Sequence, residues 1–162
     1  MSFNVRDLWQ QKIVAPIKRE FQSGESIERL AKSAAAGSCI SIFPLFGSST
    51  GLGFLVGAVF KLNHVLLQVM NYAFTSLQLV LLVPYYWAGR KLVGLADMPI
   101  DVLSMKAQIT ADPIGFLKNF WLMILGAILV WLVSIIPLYF LLNAAFNLIF
   151  TRMKKSLAEN TQ

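Results

Sequence analysis

Two long stretches of this chain, Leu62 to Gly89 and Phe120 to Phe150, contain no Asp, Glu, Lys or Arg. At about 28 and 31 residues, each exceeds the roughly 20 apolar residues that a helix needs to cross a 30 Å hydrocarbon layer. A chain of 162 residues has too small an interior to hide both from water. Composition agrees. The chain is 57% hydrophobic and 14% charged, with mean hydropathy +0.65, whereas a soluble domain is about half apolar and a quarter charged. The expected fold is therefore an all-α integral membrane protein with one membrane domain, spanning residues 26–155, and two long transmembrane helices.

A third apolar region, residues 31–60, is broken at Phe43-Pro44-Leu45-Phe46-Gly47-Ser48-Ser49-Thr50-Gly51. Pro44 and Gly47 should end one helix, and Ser48, Ser49 or Thr50 can cap the next. Each arm has about a dozen residues and reaches roughly 18 Å, short of the hydrocarbon thickness. The arm lengths predict a re-entrant hairpin of two broken helices; one kinked, tilted span is the alternative. Ser26 stands where it can cap the first arm, with Glu28 in its first turn. Gly47 and Gly51 are both expected to be required by a tight turn at the tip.

Tyr85, Tyr86 and Trp87, followed by Arg90 and Lys91, read as an interfacial belt closing the 62–89 span. Residues 90–119 form a more polar connection in which Asp112-Pro113 starts the last helix. Pro137 is expected to kink that helix over 120–150. In residues 1–25, apolar positions Val5, Trp9, Ile13, Ile17 and Phe21 recur at i, i+4. This predicts an interfacial helix, weakened by Pro16, with a helix packed on the transmembrane core as the alternative. A polar tail occupies 156–162.

With a re-entrant first element, the charges fix an orientation. Arg6, Lys12, Lys18, Arg19, Arg29, Lys32, Lys61, Arg152, Lys154 and Lys155 fall on one side. Arg90, Lys91, Lys106 and Lys118 fall on the other. Positive-inside then places both termini in the cytoplasm, in a multi-pass arrangement in a cell inner membrane. The net charge of +6 belongs to these flanks. It does not form a basic stripe interleaved with aromatics, so nucleic acid is not an expected partner. The anticipated partners are membrane lipids, anionic lipid among them, and another envelope protein or a second copy.

Several segments resemble a known family. The runs "SIERLAKSAAAG" (26–37), "SIFPLFGSSTG" (41–51), "KLNHVLLQVMNY" (61–72) and "LQLVLLVPYYWAG" (77–89) resemble the domain of unknown function 2062 family. "ADPIGFLKNFW" (111–121) resembles a downstream element of one bacterial branch. The likeness covers about residues 20–150. It implies a small bacterial inner-membrane protein in an envelope or lipid-linked context, with no catalytic residues to carry over. Two departures stand out. Ser26-Ile27 replaces the family's Ser-Pro, and Thr75-Ser76 replaces a proline in the middle of the second segment. The second change argues against a strong break there.

The eight acidic residues, Asp7, Glu20, Glu25, Glu28, Asp97, Asp101, Asp112 and Glu159, all lie outside the apolar cores. No carboxylate pair is available at membrane depth for acid–base work. His64 has no orienting acid nearby in sequence to serve a Ser/His arrangement with Ser48, Ser49 or Thr50. Cys39 is the only cysteine, so no internal disulfide forms and no zinc cluster can be assembled. No enzyme, metal or cofactor is expected.

Two features remain. The glycine-flanked loop Gly47, Ser48, Ser49, Thr50, Gly51 precedes a helix, whose N–H groups can hold a phosphate or other anion; the same residues equally serve as caps and turn formers. Gly53 and Gly57 form a small-xxx-small pair suited to helix contact. The second feature is a polar stripe, His64, Gln68, Asn71, Thr75 and Gln78, at spacings of 4, 3, 4 and 3 that share one helical face. Asn143 and Asn147 offer a facing pair. The stripe either walls a polar groove or bonds neighbouring helices. Two functions follow: handling or transport of an anionic, phosphate-bearing lipid, or a non-catalytic scaffold that binds another envelope protein.

Overall fold

The computed structural model describes residues 15–22, 24–45, 47–97 and 102–159, and among these it contains only helices and turns. In chain order the helices are α1 (Ala15–Gln22), α2 (Ile27–Ser41), α3 (Ser49–Val59), α4 (His64–Ala73), α5 (Thr75–Leu92), α6 (Val102–Ala111) and α7 (Pro113–Glu159). Of the amphipathic N-terminal series, Val5, Trp9 and Ile13 lie outside the described residues. Pro16 stands at the second position of α1, in the first turn, where its missing N–H costs nothing.

α2 is the centre of the fold. From Leu30 to Ser41 every residue except Lys32 is buried. Its small side chains, Ala34-Ala35-Ala36-Gly37-Ser38, let α4 and α7 close on it from both sides. The approach is tightest at Gly37, where a β-carbon would overlap the Leu67 carbonyl. Ser26 starts α2 by accepting from Arg29 N at 3.3 Å. On the exposed side, Lys32 Nζ donates to Glu28 Oε1 at 2.6 Å. That bond, more than the charge alone, holds the Glu28 carboxyl below its ordinary value and raises Lys32.

Region 31–60 forms two short helices, α2 and α3, joined through a turn. The Leu62–Gly89 stretch departs from expectation. In place of one long helix it forms α4 and α5, bent by 65° at Phe74. No proline or glycine stands at the bend. At the bend the Thr75 hydroxyl donates to the Asn71 carbonyl at 2.9 Å. A continuous helix would pair that carbonyl with the Thr75 N–H.

Among the described residues, α7 is the one helix long and apolar enough by itself to cross a membrane, and it continues through Pro137. Its 47 residues extend about 70 Å. α5 crosses it where Gly89 meets Gly126 and Ala127. A β-carbon on either glycine would strike the other helix's backbone. Asp112 starts α7 by accepting from Gly115 N at 2.9 Å.

The ends of these helices sort consistently. Ile27, Leu30, Leu66, Met70, Phe150 and Met153 share one apolar cluster, against which Phe74 also packs, so the first half of α2, the length of α4 and the far end of α7 lie together. Arg29 Nε donates to Lys61 O at 2.9 Å in the same region.

Candidate functional site

The turn between α2 and α3 is built mainly from backbone. Gly47 sits at φ +84°, a conformation that costs other residues about 1 kcal/mol or more. Ser48 occupies the cap position of α3, yet its side chain makes no capping bond. Its Oγ instead donates backwards to Leu45 O at 2.8 Å. Ser49 is buried and Thr50 is half-buried. Gly51 differs from Gly47. It is an ordinary, exposed helical residue with open space where a side chain would stand, so the expected need for glycine there does not hold. No charged residue lies between Lys32 and Lys61, so within this stretch only backbone N–H groups and hydroxyls could meet an anion.

The last turn of α2 is closed by other parts of the chain. Ser41 Oγ donates to Ser38 O at 2.6 Å. Trp131 Nε1, from α7, donates to Cys39 O at 3.2 Å. Phe43 N donates to Ile40 O at 3.0 Å. Gln78 Nε2, from α5, donates to Phe43 O at 2.7 Å. The Phe43 ring stands edge-on to Trp131 at 4.8 Å. Carbonyls at a helix C-terminus need such partners in apolar surroundings, because an unpaired buried polar group costs a few kcal/mol.

The polar stripe does not form one continuous face, because the Phe74 bend turns Thr75 and Gln78 away from the axis carrying His64, Gln68 and Asn71. Its amides are largely used within the fold. Gln68 Nε2 donates to Thr50 O at 3.1 Å, and Gln68 Oε1 accepts from Asn71 Nδ2 at 3.3 Å. Gln78 and Asn71 are 2% and 1% exposed, which excludes both from a water-lined wall. Asn71 Oδ1 is buried without a hydrogen-bond partner. His64 stacks on Phe54 with ring centroids 5.9 Å apart, and its buried Nδ1 has no hydrogen-bond partner.

Gly53 and Gly57 supply the close contact with α4. A β-carbon at Gly53 would come within 2.9 Å of Gln68 Nε2, and one at Gly57 within 2.6 Å of His64 Cε1. The two remaining asparagines are not joined to the stripe by any hydrogen bond among the described residues. Asn147 Oδ1 accepts from Thr151 Oγ1 at 3.5 Å within α7, and Asn143 Oδ1 is buried and unpartnered.

A polar node at the opposite end of the hairpin was not singled out from sequence. Asn63, 7% exposed, caps α4 by accepting from Leu66 N at 2.8 Å. Its Nδ2 donates to Glu20 Oε2 at 2.5 Å and to Glu25 Oε2 at 3.0 Å. Its backbone N–H donates to Ser33 Oγ at 2.8 Å. One residue thus ties α1, α2 and α4 together. The available sequence signal was an Asn just before an apolar helix, an N-cap pattern.

Compared with protein-family models, curated proteins and solved structures, the chain matches none of them.

Proposed function

We propose that this protein is an integral membrane scaffold. Its short hairpin enters the bilayer without crossing it, and its outer helices associate with another envelope protein. A bilayer setting is supported by what the surface exposes. The most apolar window of α7 has mean hydropathy 2.5, and only 22% of it is buried. The core helix of a soluble protein would be covered. Phe54, Leu55, Val80, Val83, Val133 and Phe140 are likewise exposed, and water would penalise each of them.

The observation that favours a scaffold over a lipid pathway is the use of Gln68 and Gln78. Both amides end on hairpin carbonyls, at Thr50 and Phe43, so they bond helices to a turn and do not face a channel. A second reading, capture of an anionic lipid headgroup, is favoured by the uncapped start of α3 and the open space beside Gly47 and Gly51.

Gln68→Leu and Ser49→Ala separate the two. Under the scaffold reading, Gln68→Leu loses about 0.6–2 kcal/mol of stability, the range for polar contacts between membrane helices. Retention of phosphatidylglycerol in native mass spectrometry stays unchanged in both variants. Unchanged melting together with lost lipid retention overturns the scaffold in favour of headgroup binding.

A further inference from the structure

The turn from α3 into α4 holds a lysine where glycine is usual. Among the described residues, Lys61 is the only non-glycine with positive φ, at +51°. Leu62 N donates to Gly57 O at 2.9 Å, and Lys61 N donates to Ala58 O at 3.4 Å. This pair of bonds makes Lys61 the left-handed residue that closes the helix. Glycine fills such a position without strain, and other residues fill it at a cost. Arg29 Nε, bonded to Lys61 O, braces the turn from α2.

The side chain in this strained place points a charge out of an apolar surface. Lys61 is exposed. The cations beside it are engaged: Arg29 pairs with Glu25 at 3.4 Å, and Lys32 with Glu28 at 2.6 Å. Among the described residues, no carboxylate pairs with Lys61. Val59 and Phe60 just before it, and Val65 just after, are all exposed, Phe60 by 69%. Phe54 and Leu55 carry the exposed apolar face back along α3.

We propose that Lys61 is the headgroup contact of an anionic phospholipid whose chains lie against the exposed face of α3. This inference rests on the bilayer setting proposed above and not on the scaffold role. α3 has 11 residues and rises about 16 Å, close to half of a 30 Å hydrocarbon layer. A hairpin that starts α3 near the mid-plane brings its last residues to the phosphate level, where a lysine attracts anionic lipid. Lys61 is at the opposite end of α3 from the 47–51 loop, so the site is separate from a headgroup held at that loop.

Lys61→Gly tests the proposal, because its two expected effects have opposite signs. In neutral detergent the variant should melt about 2–4 °C higher, since glycine relieves the positive φ. In a bilayer it should lose its lipid preference. A fluorophore on Phe60→Cys, in the full chain with Cys39→Ser, reads the lipid at the site. Nanodiscs contain equal phosphatidylglycerol and phosphatidylcholine, with nitroxide-labelled chains on one lipid or the other. The local ratio of phosphatidylglycerol to phosphatidylcholine, read from quenching, should fall about five-fold in Lys61→Gly, the factor for one cation near a lipid surface. Lys61→Arg should keep it. A fluorophore at Leu132, also exposed, should report no change.

A ratio that Lys61→Gly leaves unchanged, or that falls equally at Leu132, overturns the site and leaves the bilayer setting standing. Melting that does not rise in Lys61→Gly overturns it too, because the lysine then serves the turn itself. Absence of quenching at Phe60 by either lipid overturns the site together with the bilayer setting.

Discussion

At position 47 the backbone holds φ +84°, whereas Gly51 lies within α3 with free space around its α-carbon. The two glycines therefore respond oppositely to the same substitution. Gly47→Ala should destabilise the fold by about 1 kcal/mol or more, because a β-carbon strains a left-handed residue. Gly51→Ala should stabilise it by about 0.5–1 kcal/mol, the gain for replacing glycine in an exposed helix. Thermal melting of both variants in one detergent checks this, and equal signs would contradict it. Gly89 is a third kind of case. It has no unusual φ, but its missing side chain lets α5 touch the α7 backbone at Gly126 and Ala127. Gly89→Ala must push two packed helices apart and should cost about 1–3 kcal/mol.

Individual elements differed in how far the sequence disclosed them. The caps at Ser26 and Asp112 were legible, because capping is a local pattern of residue type and position. The short arms of the hairpin were legible from Pro44, Gly47 and a count of residues. The bend at Phe74 was not, because neither proline nor glycine marks it in the sequence. The polar stripe was visible as a spacing, but its meaning lay in its partners. Those partners are the carbonyls of Phe43 and Thr50, and a carbonyl is common to every residue type. Asn63 was missed for a related reason. Its partners Glu20, Glu25 and Ser33 stand 30 to 43 residues away in sequence. An element-level prediction follows from the Asn63 node. Asn63→Ala removes the cap of α4 together with the bonds to both carboxylates, and should cost at least the ~1 kcal/mol of a lost cap. Asn63→Asp keeps the cap and sets a third carboxylate against Glu20 and Glu25. If the node works as drawn, Asp rescues little, and the remaining deficit shrinks as the carboxylates are protonated in acid.

For the whole molecule, the proposed bilayer orientation is the most exposed to test, because helix packing and charge bear on it independently. Packing gathers Ile27, Leu66, Phe150 and Met153 at one end, with Arg29 bonded to Lys61. The basic positions Lys32, Arg152 and Lys154 are close in sequence to those residues and flank the same end. The aromatic group Tyr85, Tyr86 and Trp87 lies towards the other end of α5, and Lys91 Nζ stands 3.7 Å over the Trp87 ring. A cation held against an aromatic suits a membrane–water boundary. From Gly126, where α5 crosses, to Arg152 is a rise of about 39 Å along α7. A tilt of about 40° fits that length to a 30 Å hydrocarbon layer. The orientation proposed from the charges sets the ten basic residues grouped with the termini on the cytoplasmic side and the four in 90–118 on the opposite side. Single cysteines placed at Ser2 and at Lys106 in a Cys39→Ser background test the assignment in intact cells. A membrane-impermeant maleimide should label position 106 and spare position 2. Labelling at position 2 without labelling at 106 would invert the orientation. Labelling at only one of 106 and a further site in the tail, Thr161, keeps the hairpin from crossing completely only if the tail behaves as position 2 does. A tail on the opposite side from position 2 would mean either that residues 31–60 span the membrane in full, or that the bent α4–α5 pair is itself re-entrant and leaves position 106 on the same side as position 2.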